Sequence, residues 1–269
     1  MKLSTTGSNL IIVALSAWIV LATITWLFGA AWFGVLDEIT TTSIPALMIM
    51  ASITLGGMFL LVLGGTYKIS SSMGKVWVLL GTGLFFWLAG EMLYYSYEVQ
   101  GIEPFPTVAD LFYYIAYLPL TAGLVIQMRL LKTSLSAAEK ALVIVLSVLA
   151  SAFIIYFVLW PAIDAFLATM TDPLALFAGI MYPVLDIILL IGVFMVSAKL
   201  RRGKINIAWI LILAGLIMTT VADSLYWIAD NQGIDEMFNW YDFAFLISYL
   251  LITMGAIKGI SVISTTFSS

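Results

Sequence analysis

The chain has 269 residues, of which 63% are hydrophobic and only 10% are charged, with a formal net charge of −4. A mean hydropathy of +1.12 excludes an ordinary water-soluble surface, so the sequence predicts a membrane protein. The chain contains neither cysteine nor histidine, which excludes disulfides, thiolate chemistry and the commonest metal and haem ligands. We therefore expect no cofactor, no bound metal and no nucleic-acid partner.

Eight apolar runs follow along the chain, and each is long enough to cross a hydrocarbon core of about 30 Å, which takes about 20 helical residues. Their predicted limits are about 9–36, 45–67, 75–97, 108–131, 138–161, 174–199, 205–229 and 239–262. The first run is too long for a signal peptide and is kept as a span. The prediction is an all-α protein with eight transmembrane helices in a single integral membrane domain, 1–269.

Basic and acidic residues fall in alternate connections between these runs. All eleven bases lie at the N-terminus, in the even-to-odd connections or near the C-terminus: Lys2, Lys68, Lys75, Arg129, Lys132, Lys140, Lys199, Arg201, Arg202, Lys204 and Lys258. The connections after runs 1, 3, 5 and 7 contain acids and no base. Because Lys and Arg collect in cytoplasmic loops, the sequence predicts a multi-pass protein of the cell membrane with both termini in the cytoplasm.

One stretch of the chain occurs twice. Residues 76–124 match residues 208–256, which lie 132 positions later, at 15 of 49 positions without a gap. Such matching indicates an internal duplication, with a first repeat of about 1–132 and a second of about 133–269. Four helices per repeat is an even number, so we expect parallel repeats related by a pseudo-twofold axis along the membrane normal.

Three carboxylates lie inside predicted spans: Glu91 in run 3, Asp186 in run 6 and Asp223 in run 7. A charged group near the bilayer centre costs roughly 2.5–3.5 kcal/mol on insertion scales, so such residues usually face a bundle interior, a partner or a water-filled cavity. Glu91 and Asp223 are equivalent in the two repeats. The duplication therefore predicts that they approach each other from the two halves, near the outer side of the membrane.

Aromatic residues accompany these acids at helical spacing. Tyr94 follows Glu91 by three positions, Asp186 follows Tyr182 by four, and Tyr226 and Trp227 follow Asp223 by three and four. One interpretation is an outward-facing pocket for a small cationic or amphipathic ligand, bound through Glu91, Asp186, Asp223, Tyr94, Tyr182, Tyr226 and Trp227. The alternative is that Tyr and Trp belong to the interfacial belt and their hydroxyls satisfy the carboxyl groups between helices.

Two prolines interrupt predicted spans, Pro119 in run 4 and Pro183 in run 6. Proline lacks the backbone N–H and is expected to kink these helices, which frees carbonyl groups toward a cavity. In the second repeat the position equivalent to Pro119 is Leu251, so the two halves are not identical here.

Three segments carry a resemblance to a known family: GEMLYYSYEVQGIEPFPTVADLFYYIAYLPLTAGL, MYPVLDIILL and VADSLYWIADNQGIDEMFNWYDFAFLISYLLITMGAI. They resemble the multi-helix membrane input domains that precede diguanylate cyclase and histidine kinase modules in bacterial and archaeal signalling proteins. The matching positions are Glu91, Asp110, Tyr182, Pro183, Asp186, Asp223 and Asp242. The resemblance implies a membrane sensor for signal transduction. The cytoplasmic output module is missing from this sequence, which leaves a stand-alone sensor with a cytoplasmic or membrane partner, a shortened chain, or another use of the fold.

The leading hypothesis is thus a sensor or receptor-like binding module. A secondary transporter is the first alternative, in which Glu91, Asp186 and Asp223 carry protons or cations as the repeats move. An enzyme acting on lipids is the third reading, and it would have to rely on carboxylates; the sequence offers no catalytic motif that favours it.

Overall fold

The protein is described here by a computed structural model, which covers residues 7, 11–15, 38–102, 105–169, 172–200, 207–233 and 240–266. In chain order, the long helices of these ranges are α1 (Glu38–Thr66), α2 (Ser72–Glu98), α3 (Val108–Leu130), α4, α5 (Pro173–Leu200), α6 (Ile207–Gln232) and α7 (Trp240–Thr266). Helix α4 comprises Ala137–Ile154, a π-helical turn at Ile155–Leu159, and Trp160–Thr169. No strand is found within the ranges described.

Each of these seven helices contains a segment that is long and apolar enough to cross a membrane. They confirm predicted runs 2 to 8 and the prediction of an all-α, multi-pass membrane protein. The first predicted run, about 9–36, lies outside the described residues except for 11–15.

Short polar motifs begin several helices. Ser71 accepts a hydrogen bond from the amide of Gly74 at the start of α2. A capping box formed by Thr107 and Asp110 begins α3, and Ser136 with Glu139 begins α4 in the same way. Such side chains satisfy the free N–H groups of a first helical turn, so the membrane spans begin where the sequence changes from polar to apolar.

Six of the helices form a closed ring in which each contacts the next. The order is α1, α2, α3, α5, α6 and α7, and α7 returns to α1. Helix α4 lies outside this ring and packs mainly on α5. Its membrane segment is only 17% buried inside the protein, compared with 72% for α7. The ring therefore holds the core, and α4 presents most of its apolar surface outward.

Close helix packing recurs at positions 132 residues apart. A Cβ atom on Gly83 of α2 would lie 2.5 Å from Leu120 of α3, and one on Gly215 of α6 would lie 2.5 Å from Ile252 of α7. Only glycine permits helices to approach this closely. The α2–α3 and α6–α7 pairs therefore use the same glycine contact at equivalent positions.

Helices α2 and α6 also meet each other, across the ring, through equivalent residues. The indole rings of Trp77 and Trp209 have centroids 4.4 Å apart. Seventeen residues further along each helix, the hydroxyl oxygens of Tyr94 and Tyr226 are 3.5 Å apart. Both pairs are separated by 132 positions in the chain, so the two stretches that match in sequence face each other in space.

Candidate functional site

The two ends of the helical bundle carry opposite charge. At the acidic end, where α2 and α6 end, Glu98 and Asp230 occupy the last turns. At the basic end, Lys75 lies in the first turn of α2 and Arg129 in the last turn of α3. Sixteen residues of helix separate Lys75 from Glu91, or about 24 Å at 1.5 Å per residue. The carboxylates of the predicted site therefore lie far from the basic end.

The three predicted carboxylates come from three helices, and they converge. Glu91 is on α2, Asp186 on α5 and Asp223 on α6. Asp223 interacts electrostatically with both Asp186 and Glu91. Asp186 is buried, with 3% of its surface exposed, whereas Glu91 and Asp223 are half-buried. One acid is thus enclosed and two are partly accessible.

Tyrosines of α3 hold two of these acids. The Tyr117 hydroxyl, itself buried, donates a 2.7 Å hydrogen bond to Oδ1 of Asp186. Tyr113, one turn earlier, lies within interaction distance of Glu91. Helix α3 therefore contributes a line of hydroxyl groups that contact the acids of α2 and α5.

A fourth carboxylate, Asp110, is also enclosed. It is 7% exposed, and its Oδ2 accepts hydrogen bonds from the amide and hydroxyl of Thr107 in the capping box of α3. The Tyr182 hydroxyl of α5 donates a 2.6 Å hydrogen bond to Oδ1 of Asp110. Asp110 therefore fixes the start of α3 and also joins α3 to α5.

Aromatic rings surround the acids. Tyr182 and Trp227 have ring centroids 5.9 Å apart, and Trp227 and Tyr226 are 5.8 Å apart. Phe105 packs edge-on against Trp227 at 5.6 Å, and Tyr241 packs edge-on against Tyr226 at 5.2 Å. We call this group of five rings the aromatic cluster.

The seven residues predicted from the sequence are therefore neighbours in space, linked by ring contacts, by the hydroxyl pair of Tyr94 and Tyr226, and by the electrostatic interactions of the carboxylates. Sequence reasoning did not include Asp110, Tyr113 or Tyr117 among the site residues. A signal for them was present, since Asp110, Tyr113 and Tyr117 recur at spacings that share one helical face. Tyr117 is also identical to its equivalent, Tyr249.

The chemistry of the site follows from these groups. Carboxylates supply negative charge, and the faces of Tyr and Trp rings attract cations. In the part of the chain that the structure describes, no three acidic side chains are grouped closely enough to hold a metal ion. The acids can neutralise a positive charge while the faces of the rings contact it.

Comparisons with known proteins give no further identification. No family model, curated protein or solved structure matches this chain. The acidic and aromatic site is therefore the feature that bears on function.

Proposed function

We propose that the protein is a membrane-embedded sensor or receptor-like binding module. The observation that carries this proposal is the convergence of Glu91, Asp186 and Asp223 with the aromatic cluster at the acidic end. Each of the three acids lies in a different span, where a charged group is costly, and such residues usually mark a ligand or ion path. A purely interfacial role explains exposed aromatics, but it does not explain why acids from three helices meet.

The proposal includes an eight-span architecture of two parallel repeats. Its support is that positions 132 apart touch each other at Trp77 with Trp209 and at Tyr94 with Tyr226. A residue that contacts its own equivalent must lie beside the axis relating the two repeats. Two such contacts, near opposite ends of α2 and α6, are expected for an axis that runs along the membrane normal.

The charge distribution supports the orientation in this proposal. The basic end faces the cytoplasm because Lys and Arg are retained there, and the acidic end faces outward. The site then opens to the outer side, and both termini are cytoplasmic. A signal reaching the basic end would be available to a cytoplasmic or membrane partner, as in the input domains that this sequence resembles.

The ligand class follows from the shape of the contacts. A small organic cation, or an amphipathic molecule with a cationic group, would place its charge near Glu91 and Asp223 and its apolar part against Tyr182 and Trp227. Cation–π contacts contribute roughly 0.5–2 kcal/mol each, and the higher values apply where water is excluded.

Native mass spectrometry of gently solubilised protein tests the proposal directly. Wild type is expected to retain a discrete adduct that is lost in Glu91→Gln/Asp223→Asn. The matched control is Glu98→Gln/Asp230→Asn, which changes the same charge at equivalent, exposed positions and should keep the adduct. Wild type without an adduct, or equal loss in both variants, would contradict a ligand site at Glu91 and Asp223.

A secondary transporter is the second candidate, and burial of Asp186 favours it. A carboxyl group that is enclosed and bound by Tyr117 could exchange a proton or cation only when the surrounding helices move. Proton-coupled flux in liposomes that is abolished by Asp186→Asn would support transport. Adduct binding without flux would favour the sensor.

A further inference from the structure

Tyrosine side chains join α3 to α5 in the half of the bundle toward the acidic end. There, Tyr182 of α5 binds Asp110, and Tyr114 of α3 donates a 3.0 Å hydrogen bond to the carbonyl of Ala178. Deeper in the bundle, Tyr117 of α3 binds Asp186. These hydrogen bonds cover the enclosed carboxylate from the acidic side.

Both helices contain proline near their middle, close to these contacts. Pro119 lies two residues after Tyr117 in α3, and Pro183 follows Tyr182 directly in α5. Each proline removes a backbone hydrogen bond and weakens the link between the two halves of its helix. A bend at either proline would move the acidic-end half of that helix relative to its other half.

The packing of α5 at its acidic end leaves room for such movement. Gly179 is buried, yet a Cβ atom placed on it would have only one neighbour within 4 Å, the ring of Trp227 at 3.9 Å. Buried glycines elsewhere in the ring, such as Gly83, are in tight contact. Helix α5 thus lies loosely against α6 one turn before Pro183.

The basic-end halves of the same helices are held together. Nζ of Lys199 in α5 donates hydrogen bonds of 3.0 and 3.1 Å to the carbonyls of Met128 and Leu131. A lysine on the last carbonyl groups of a helix is favourable both as a cap and for the helix dipole. The basic end is therefore the fixed side of any hinge.

We propose that the acidic-end halves of α3 and α5 form a gate over Asp186, hinged at Pro119 and Pro183 and closed by the Tyr117–Asp186 and Tyr182–Asp110 hydrogen bonds. The gate rests on the proposed function for its role, since it would regulate access of the cation to the enclosed carboxylate. Opening breaks both hydrogen bonds and makes Asp186 accessible in the way that the half-buried Glu91 and Asp223 already are.

Spin-label distance measurements in lipid nanodiscs test the gate, because the chain is free of cysteine. The gate pair is Val108→Cys/Phe177→Cys on α3 and α5, and the control pair is Leu47→Cys/Trp240→Cys on α1 and α7. All four positions are exposed. Tyr117→Phe/Tyr182→Phe is expected to raise the ratio of long to short distances at the gate pair about threefold for each hydrogen bond removed, the equivalent of roughly 0.6 kcal/mol.

The control pair should not change, and Tyr249→Phe, at the position equivalent to Tyr117, should change neither pair. A gate pair that stays the same, or a control pair that widens equally, overturns the proposal. If the tyrosine variant does not fold, Pro119→Leu/Pro183→Ala decides, because it installs the residues found at the equivalent positions 251 and 51. A narrower distribution of distances at the gate pair supports the hinge, and an unchanged distribution overturns it.

These measurements need no ligand, so the gate and the proposed function fail separately. A gate that widens in a protein without any adduct would leave the gate standing and remove the sensor site. An adduct bound by a protein whose gate pair never moves would leave the sensor site standing and remove the gate.

Discussion

Two helix pairs of the ring lie 132 residues apart in the chain, and their contacts are built differently. We call α3 with α5 the polar seam and α1 with α7 the apolar seam. The polar seam is joined by tyrosine–carboxylate hydrogen bonds and by Lys199. At the positions 132 residues before Asp186, Tyr182 and Lys199, the apolar seam has Thr54, Met50 and Tyr67.

Close packing takes the place of hydrogen bonds in the apolar seam. Thr54 bonds to the carbonyl of Met50 in its own helix. A Cβ atom on Gly56 of α1 would lie 3.2 Å from the Thr253 hydroxyl of α7, and one on Gly259 would lie 2.8 Å from Leu63. In a membrane, small residues that allow close approach and hydrogen bonds between helices are the two main means of association. The apolar seam is suited to remain closed, whereas the polar seam can exchange its hydrogen bonds.

The largest loss of stability is expected from a substitution that disrupts the apolar seam. In Gly56→Val, the new side chain would meet Leu84 and Thr253, at 3.0 and 3.2 Å from the Cβ position. Overpacking of this kind costs about 1–3 kcal/mol. Gly65→Val in the same helix is the control, because nothing lies within 4 Å of its Cβ position. Thermal unfolding in detergent should show a lower Tm for the first variant only, and equal losses would contradict close packing in this seam.

The next-largest loss of stability is expected from a substitution in the polar seam. Asp110→Ala removes both the capping box of α3 and the acceptor for Tyr182, and cap loss alone costs about 0.5–2 kcal/mol. Asp242→Ala is the matched change in α7, where the residue equivalent to Tyr182 is Met50. Unfolding measurements should give a larger loss for Asp110→Ala. If Asp242→Ala were equally harmful, the bond across the polar seam would contribute nothing.

The smallest effect concerns the fixed end of the polar seam. Lys199→Met removes the hydrogen bonds to Met128 and Leu131 and should lower the free energy of unfolding by about 0.3–1 kcal/mol, as expected for a cation at a helix C-terminus. Lys140→Met, at an exposed position near the start of α4, serves as the control and should have no measurable cost. A loss in the control as large as that of Lys199→Met would show only a general effect of charge.

Much of the fold could be predicted because a bilayer sets the length of an apolar run. The predicted run 75–97 corresponds to a helix observed at Ser72–Glu98, and 108–131 to one at Val108–Leu130. The π-helical turn at Ile155–Leu159 was not predicted. Its residues are as apolar as their neighbours. The hydrophobicity of the sequence therefore does not indicate where a turn contains one extra residue.

The acids inside spans could be located from the sequence because charge there is costly, but their hydrogen-bond partners could not. Spacing along α5 placed Tyr182 beside Asp186, its neighbour four residues on. In the structure, Tyr182 binds Asp110 and Asp186 binds Tyr117. This exchange depends on α3 and α5 lying side by side while α4 passes outside the ring. Sequence periodicity describes one helix at a time and does not specify which helices become neighbours.

The paired indoles of Trp77 and Trp209 at the basic end, with ring planes inclined at 32°, give the molecule an optical property of its own. Trp77 and Trp209 are both buried, and their rings are close enough for the electronic transitions of one to couple with those of the other. Coupling of the strong indole transitions produces paired bands of opposite sign in far-ultraviolet circular dichroism. Because the two rings come from α2 and α6, these bands would disappear whenever the halves of the chain separate, even if every helix stayed intact.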